Sequence, residues 1–400
     1  MSLGLRGRAV VLVLAVALGT AVAACGSQPT PSVVATGSPS VAPSSTPRSV
    51  PPSGSPTVTQ IDVHPIAQQY TTPMLDAQTD GHEIVWSTGA ANASAGAAPD
   101  LYRYVPDGPP PAPAFQNPHR DSLLETIAVR NGHYAFVEAN RALYGVGGWR
   151  VWFLPGAGLK PVAVDTSDGP GGATSPVPFL ALTDDQLVWT AVHKTSTGLR
   201  YQLRSYSIGS RTTRDLQSSN PARAEYWFPF ASADGRLVYG TVEHSGTSDE
   251  AFHVYLFDLG ATGTTPRRLD DTGRAAMPVI SGDTVVWKQT SGNVFNWGVL
   301  VRRSLGQAAT TPITFEAQVG LNYPSVGNRF LAAWGEDDTD FEIFDLAKNT
   351  PLLIERYKPT APQGVVRPVV AGDLLIFIRG STDPSRSDLQ LCWAWLPSRG

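Results

Sequence analysis

Two polar segments carry the side chains with the clearest chemical potential. The first is Gly335–Asp340, which contains four carboxylates, those of Glu336, Asp337, Asp338 and Asp340. Carboxylate oxygens are hard ligands of the kind that Ca²⁺ prefers. A solvated acidic loop has the same composition. The segment therefore predicts a surface loop that could bind Ca²⁺, and the sequence indicates no other metal site and no other cofactor.

The second segment is Glu243–Glu250, which contains His244, Asp249 and Glu250 and is followed by His253. An imidazole beside carboxylates can transfer protons in general acid–base catalysis. A polar surface loop contains the same residue types, so the segment is also consistent with a loop that has no catalytic role.

No established catalytic motif accompanies these segments. The sequence contains no G-x-S-x-G, no H-E-x-x-H, no C-x-x-C and no Gly-rich phosphate loop after a strand. The sequence therefore favours a binding protein over an enzyme.

The elements that must position both segments are copies of one unit. A turn pair followed by a short apolar run occurs seven times, at intervals of 45–53 residues. A period of this length is typical of a supersecondary unit repeated around an axis. The copies are GHEIVW (81–86), GHYAF (132–136), DDQLVW (184–189), DGRLVY (234–239), GDTVVW (282–287), GNRFLA (327–332) and GDLLIF (372–377).

A typical repeat contains four short strand-like runs, as at 226–270, 276–315 and 321–355. The apolar residues of the second run are adjacent, which predicts burial on both faces of the sheet. No segment after the first 24 residues has a helical apolar period. The pattern predicts an all-β fold, a seven-bladed β-propeller with four-stranded antiparallel blades, over residues 58–400.

The last repeat supplies only three strands before the chain ends. An alternating strand at Thr57–His64 precedes the first repeat and has no blade of its own. We expect this N-terminal strand to complete the last blade, because an unclosed ring would leave an open sheet edge.

Residues 1–24 have the features of an export signal. Arg6 and Arg8 precede an apolar stretch at Ala9–Ala24, which is shorter than the about 20 residues that a membrane-spanning helix needs. The stretch ends in Val22-Ala23-Ala24-Cys25, which resembles the lipobox of bacterial lipoproteins. In that family the signal is cut before the Cys and the sulfur carries a diacylglyceryl group, so the resemblance implies lipidation of Cys25. An ordinary secretory signal followed by an incidental cysteine is the alternative.

Residues 25–57 predict a disordered tether between the lipidated Cys25 and the propeller. Of residues 26–57, 24 are Ser, Pro, Thr or Gly, and Arg48 is the only charged one. Such a segment cannot bury enough apolar surface to offset the entropy of ordering it.

Composition excludes one large class of partner. The net charge is −4, and becomes −6 when Arg6 and Arg8 leave with the signal. Lys and Arg form no cluster, so nucleic acid is not expected as a partner. The second cysteine, Cys392, lies in an apolar run and is predicted to be a buried thiol.

The repeat resembles that of TolB-like propellers, over most of residues 70–400. The copy at 229–269 carries the pattern best, with Pro229, Asp234-Gly235, a Tyr-Leu-Phe-Asp-Leu run at 255–259, and Arg267-Arg268-Leu269. The Trp-Asp dipeptide of WD repeats is absent. Members of the TolB-like family mostly bind proteins or peptides, so the resemblance implies a binding function.

Together these features predict a lipid-anchored propeller on the extracytoplasmic face of a bacterial membrane, with one ring face binding a protein, a peptide or a cell-wall polymer. One alternative is a polysaccharide lyase or hydrolase with its site in the central funnel, and another is a structural accessory of an envelope complex. Carboxylates or histidines converging in the funnel would favour the enzyme, whereas an apolar or mixed lining would favour binding.

Overall fold

The computed structural model describes residues 61–66, 74–88, 100–119, 122–140, 148–167, 177–196, 198–219, 224–231, 235–244, 247–261, 265–290, 298–307, 309–313, 322–334, 341–352, 368–380 and 389–397. All of them belong to a compact unit that spans Val58–Gly400. The regular secondary structure in this part of the chain is entirely β-strand, and no helix in it is long and apolar enough to cross a membrane.

The strands form seven four-stranded antiparallel sheets, each built from consecutive strands except the last. Blade 1 contains β2 (Met74–Thr79), β3 (Ile84–Thr88), β4 (Leu101–Tyr104) and β5 (Ala112–Phe115). Blade 2 contains β6 (Leu123–Arg130), β7 (His133–Ala139), β8 (Trp149–Leu154) and β9 (Val162–Thr166). Blade 3 contains β10 (Leu180–Leu182), β11 (Gln186–Thr195), β12 (Gly198–Ser207) and β13 (Thr212–Ser219).

The remaining blades follow the same order. Blade 4 contains β14 (Ala224–Ala231), β15 (Arg236–Glu243), β16 (Ala251–Asp258) and β17 (Arg267–Arg268). Blade 5 contains β18 (Ala275–Ser281), β19 (Thr284–Thr290), β20 (Gly298–Ser304) and β21 (Thr311–Ile313). Blade 6 contains β22 (Asn322–Val326), β23 (Phe330–Trp334), β24 (Phe341–Asp345) and β25 (Thr350–Leu352). Blade 7 contains β26 (Val369–Ala371), β27 (Leu374–Gly380), β28 (Leu389–Trp395) and β1 (His64–Pro65).

The first strand of every blade contacts the first strands of its two neighbours, and the circle closes between β26 and β2. These seven strands therefore form an inner ring around the axis. The predicted all-β, seven-bladed propeller is confirmed.

The second strands coincide with the seven apolar phrases of the sequence, and they are buried on both faces as predicted. In β3, Val85 lies in the core shared with blade 2, whereas the adjacent Trp86 lies in the core shared with blade 7. Consecutive side chains of a strand point to opposite faces. A run of adjacent apolar residues therefore fills two interfaces between blades.

The N-terminal strand closes blade 7 as expected, although it is shorter than the sequence suggested. The predicted segment was Thr57–His64, of which residues 57–60 lie outside the described residues. β1 pairs antiparallel with residues 392–393 of β28. Upstream of β1, Ile61 and Val63 pack on the core between blades 6 and 7 instead of extending the strand. Downstream, Ile66 N–H still donates to a β28 carbonyl at 2.9 Å.

The turns between first and second strands lie on one face of the ring, and in blades 1, 2, 4, 5 and 7 they contain a glycine with positive φ. Gly81, Gly132, Gly235, Gly282 and Gly372 adopt φ values between 52° and 92°, a region that other residues adopt at a cost. Polar contacts tie neighbouring blades together on this face, including the bond from Arg236 Nη1 to Asp283 Oδ1 at 2.6 Å.

Candidate functional site

The predicted acidic loop lies outside the described residues. Glu336, Asp337, Asp338 and Asp340 belong to residues 335–340, which connect β23 to β24. The Ca²⁺ site therefore stays a prediction. In the part of the chain that the structure describes, no group of three or more His, Cys, Asp and Glu side chains could hold a metal ion.

Most of the second predicted segment is described, and it connects β15 to β16. Asp249 Oδ1 accepts hydrogen bonds from the hydroxyls of Thr247, at 3.3 Å, and Ser248, at 3.1 Å. The Ser248 bond is the main cause that lowers the pKa of the Asp249 carboxyl. His244 is exposed, and Glu250 is half-buried.

His253 has a different environment from the other three residues of this segment. It is buried on β16, and its Nδ1 lies 3.1 Å from Asp270 Oδ2. The other oxygen of Asp270 accepts the backbone N–H of Val254 at 2.8 Å. The imidazole therefore fixes the edge of blade 4 together with Asp270, and the proton-transfer group predicted from the sequence stays a prediction.

Five inner strands contain a one-residue β-bulge, namely β2, β6, β14, β18 and β22. In four of them a bulge residue has positive φ: Thr126 (42°), Phe228 (46°), Met277 (54°) and Tyr323 (48°). Positive φ is costly for a bulky side chain, and such strain concentrates at functional sites. Bulges also re-aim side chains, so the inner ring directs large side chains away from the regular strand pattern.

Aromatic rings from blades 3, 4 and 6 meet at these bulges. The centroid of the Phe228 ring lies 4.5 Å from that of Phe179 and 6.2 Å from that of Tyr323. The Trp227 centroid lies 5.8 Å from Phe228 and 6.3 Å from Phe179. All four rings are partly exposed. We call Phe179, Trp227, Phe228 and Tyr323 the axial aromatic cluster.

Met277 completes an apolar wall that runs along blades 3 to 6. It is buried and packs with Trp227, Phe228 and Tyr323. The space lined by Trp227, Phe228 and Met277 between blades 4 and 5 measures about 20 Å³, which is room for a single water. A ligand would therefore lie against the cluster instead of inside it.

Polar contacts join the inner strands of blades 1 and 2, of blades 2 and 3, and of blades 6 and 7. Asp76 Oδ2 accepts a backbone N–H of β6 at 2.7 Å. Thr126 Oγ1 donates to the carbonyl of Pro178 at 2.8 Å. Ser325 Oγ accepts the N–H of Val370 at 2.9 Å. The inner ring around the central channel therefore has an aromatic side, in blades 3 to 6, and a polar side that these contacts join.

Glu125 lies on the polar side, next to the bulge of β6. Its Oε1 is buried and has no hydrogen-bond partner among the described residues. Burial raises the pKa of the Glu125 carboxyl to about 7. A buried carboxyl oxygen without a hydrogen-bond partner is unusual, because buried polar atoms normally form hydrogen bonds.

A second polar cluster lies where blades 1 and 2 meet, around the buried carboxylate of Glu138. His119 Nδ1 lies 2.7 Å from Glu138 Oε1, and Ser122 Oγ donates to the same oxygen at 2.5 Å. Trp152 Nε1 donates to Oε2 at 3.0 Å, and Asn140 Nδ2 donates to Ser122 Oγ at 2.8 Å.

This second cluster does not have the geometry of a catalytic triad. In a triad the imidazole lies between the hydroxyl and the carboxylate and accepts the hydroxyl proton. Here Glu138 lies between Ser122 and His119, so the imidazole cannot activate the serine. The cluster anchors the segment that enters β6.

The chain matches no protein-family model and no curated protein. Among solved structures, it is similar to oligogalacturonate lyase in complex with manganese, with 12% identity and a TM-score of 0.57 over 84% of this chain and 96% of that one. It is also similar to the β-propeller domain of the Trilobed protease from Pyrococcus furiosus, with 10% identity and a TM-score of 0.55 over 81% and 95%. TolB from Acinetobacter baumannii matches with 12% identity and a TM-score of 0.44 over 68% and 63%.

At these identities the likeness shows the propeller fold alone. The TM-score with TolB is too low to support a function of the TolB type. The Trilobed protease domain is described as having an open velcro topology, whereas here β1 closes the ring.

The sequence places aromatic residues such as Trp227 and Phe228 near a strand start, which is consistent with either interblade packing or a binding surface, and it also contains a signal for the bulges. Phe228, Met277 and Tyr323 each precede a proline, and each lies at the same position of its inner strand. A large apolar residue followed by proline at this repeated position therefore marks the bulges in the sequence. Glu125 has no such signal, because nothing in its local sequence predicts a buried carboxyl group.

Proposed function

We propose that this protein is a lipid-anchored, extracytoplasmic binding protein that holds a peptide against the axial aromatic cluster. The observation that carries the proposal is the convergence of Phe179, Trp227, Phe228 and Tyr323 from three blades, with their rings partly exposed. Aromatic side chains in a concave site provide large contact area at a small entropic cost and dominate many interfaces.

The character of the lining supports binding over catalysis. The side chains that meet at the axis in blades 3 to 6 are apolar or aromatic, as expected for a ligand site with few polar groups. The histidine–carboxylate pairs His253–Asp270 and His119–Glu138 lie outside the inner strands. A polysaccharide lyase or hydrolase needs acid and base groups that converge on one bond.

A direct test is a peptide library screened against the purified full-length protein in detergent, alongside a F228A variant. We expect a subset of peptides with apolar side chains to bind the natural protein and to lose about tenfold or more in affinity for F228A. A matched control is F341A, because Phe341 lies on β24, away from the inner ring. Equal binding to the natural protein and F228A, or binding to polysaccharides but to no peptide, would exclude this function.

The membrane anchor rests on the sequence alone and needs a separate test. A C25A variant should lose metabolic labelling by a fatty-acid analogue and should move from the membrane fraction to the soluble fraction of cells. Two or more acyl chains are needed for durable anchoring. Labelling that persists in C25A would rule out this cysteine as the lipid attachment site.

A further inference from the structure

We propose that the corner formed by Glu125, Thr126 and Pro178 binds a primary ammonium group whose attached apolar group lies on the axial aromatic cluster. This inference rests on the proposed function, because it names the chemical class of ligand that the same channel would take.

Three observations place Glu125 beside the cluster. Glu125 pairs with Val137 of β7, and Val137 belongs to the core between blades 2 and 3. Cross-strand partners share a face of the sheet, so Glu125 lies on the face of blade 2 that is turned toward blade 3. The next residue, Thr126, bonds to the carbonyl of Pro178 at 2.8 Å.

The aromatic wall begins one residue beyond that bond. Phe179 follows Pro178 directly, and its ring contacts Phe228. The interblade hydrogen bond therefore joins the residue that follows Glu125 to the residue that precedes Phe179.

With Glu125 ionised, the side-chain and carbonyl oxygens at this corner are all acceptors. Thr126 has already donated its hydroxyl proton to Pro178, so its oxygen can only accept further bonds. The Pro178 nitrogen carries no proton, and its carbonyl has a second lone pair. Glu125 Oε1 is without a partner among the described residues.

An acceptor-only corner selects a donor-rich ligand. A primary ammonium group has three donors and no acceptor, and its charge strengthens bonds to a carboxylate. An anion or an ether oxygen would find no donor in this set. The adjacent aromatic faces also attract cations.

Solvent exposure is consistent with a ligand approaching from the channel. Oε1 is buried, whereas Glu125 as a residue keeps partial exposure. Glu125 therefore lies between blades 2 and 3 with part of the residue open to solvent. Burial raises its pKa, and an arriving cation would favour the ionised form.

The charged side chains of β2 and β6 are consistent with this selection. Asp76 on β2 contributes a further carboxylate, with Oδ2 bonded to the backbone of β6. Arg130 lies at the other end of β6 and is bonded to Asp184 at 2.9 Å. The field at the corner therefore favours a cation over an anion.

The test compares three probes by calorimetry with the full-length protein in detergent. The first is phenylalanyl-alanine amide with a free amino terminus, the second is its N-acetyl form, and the third is N-acetyl-alanyl-lysine amide. We expect the first probe to bind at least about tenfold more tightly than the second. Tight binding of the third probe as well would show that the corner also accepts the ammonium group of a lysine side chain.

Two variants complete the test. In E125Q the preference for the free amine should disappear, whereas E250Q, in the loop between β15 and β16, should keep it. Equal affinity of the free and acetylated probes for the natural protein would overturn this inference. If that shared affinity is lost in F228A, the proposed binding function would still stand. Binding of neither probe would count against both proposals.

Discussion

Phe228 of blade 4 and Tyr323 of blade 6 lie with their ring centroids 6.2 Å apart, although blade 5 separates their strands. The two residues occupy equivalent bulges, and each has positive φ. Without the bulges, regular strands would keep their side chains perpendicular to the sheet. The contact between the two rings therefore depends on the same strained bulge occurring in blades 4 and 6.

The strain at Phe228 predicts an inverted order of stability for two substitutions. At an ordinary strand position, a protein with Gly is less stable than the same protein with Ala by about 0.5–1 kcal/mol. At the φ of 46° that Phe228 adopts, Ala has a steric cost that Gly lacks. We therefore expect F228G to be at least as stable as F228A in chemical denaturation. Phe252, which is buried on β16, is the control. We expect F252A to be more stable than F252G. If F228A were likewise more stable than F228G, the bulge at Phe228 would be unstrained.

Glu125 makes stability depend on pH in a defined window. Its pKa is raised from 4.5 to about 7 in the folded protein by burial, so folding favours the protonated form. The stabilising contribution is complete below pH 4.5 and is lost as the pH rises through 7. Because Glu125 keeps partial exposure, we expect E125Q to be more stable than the natural protein by about 1–3 kcal/mol at pH 8.

The internal control for this prediction is the same pair of proteins at pH 4.5, where both side chains are neutral. The natural protein and E125Q differ in free energy of unfolding, and the change in this difference between pH 4.5 and pH 8 should reflect Glu125 alone. A difference that does not change between the two pH values would mean that the carboxyl group is ionised normally in the folded protein.

Asp345 is expected to stabilise the turn that ends β24. It is buried, and its Oδ1 accepts the N–H groups of Ala347 at 3.0 Å and Lys348 at 3.1 Å. Arg329 Nη2 donates to Oδ2. Burial alone would raise the pKa of the Asp345 carboxyl, but these hydrogen bonds hold it below its ordinary value.

We expect D345N to lower the free energy of unfolding by about 1–2 kcal/mol at pH 7. Because the pKa is lowered, this contribution is present above pH 3.8 and is lost as the pH falls further. The D258N variant is a matched control, because Asp258 ends the equivalent strand but is exposed and accepts one turn N–H, at 3.0 Å from Gly260. An equal loss of free energy of unfolding in D345N and D258N would show that burial and Arg329 do not strengthen the contribution of Asp345.

The architecture could be predicted from the sequence because it depends on periodic features. The apolar ends of the phrases, such as Trp86, Trp287 and Ala332, are buried on second strands. The Asp of the Tyr-Leu-Phe-Asp-Leu run also recurs, and at Asp258 and Asp345 it closes the following turn. Each of these features is fixed by local geometry and repeated in several blades.

The channel could not be predicted in the same way, because its lining depends on contacts between distant segments. Phe179 and Tyr323 are 144 positions apart in the sequence, and only ring closure brings both to Phe228. The sequence search favoured clusters of polar residues in loops, such as His244 and Asp249. A buried carboxyl group such as that of Glu125 has meaning only once its neighbours in blade 3 are known.

The closing strand gives the sharpest test of the ring. Ile66 is buried and donates its N–H to β28, while Ile61 and Val63 cover the core between blades 6 and 7. Removing residues 1–66 should therefore lower the free energy of unfolding by about 3–6 kcal/mol, from the apolar surface exposed. Removing only residues 1–57 should leave the thermal midpoint unchanged. The I66A variant separates packing from strand pairing, because it keeps the backbone bond and should lose about 2–4 kcal/mol. Identical midpoints for the two truncated proteins would mean that blade 7 is stable without its fourth strand.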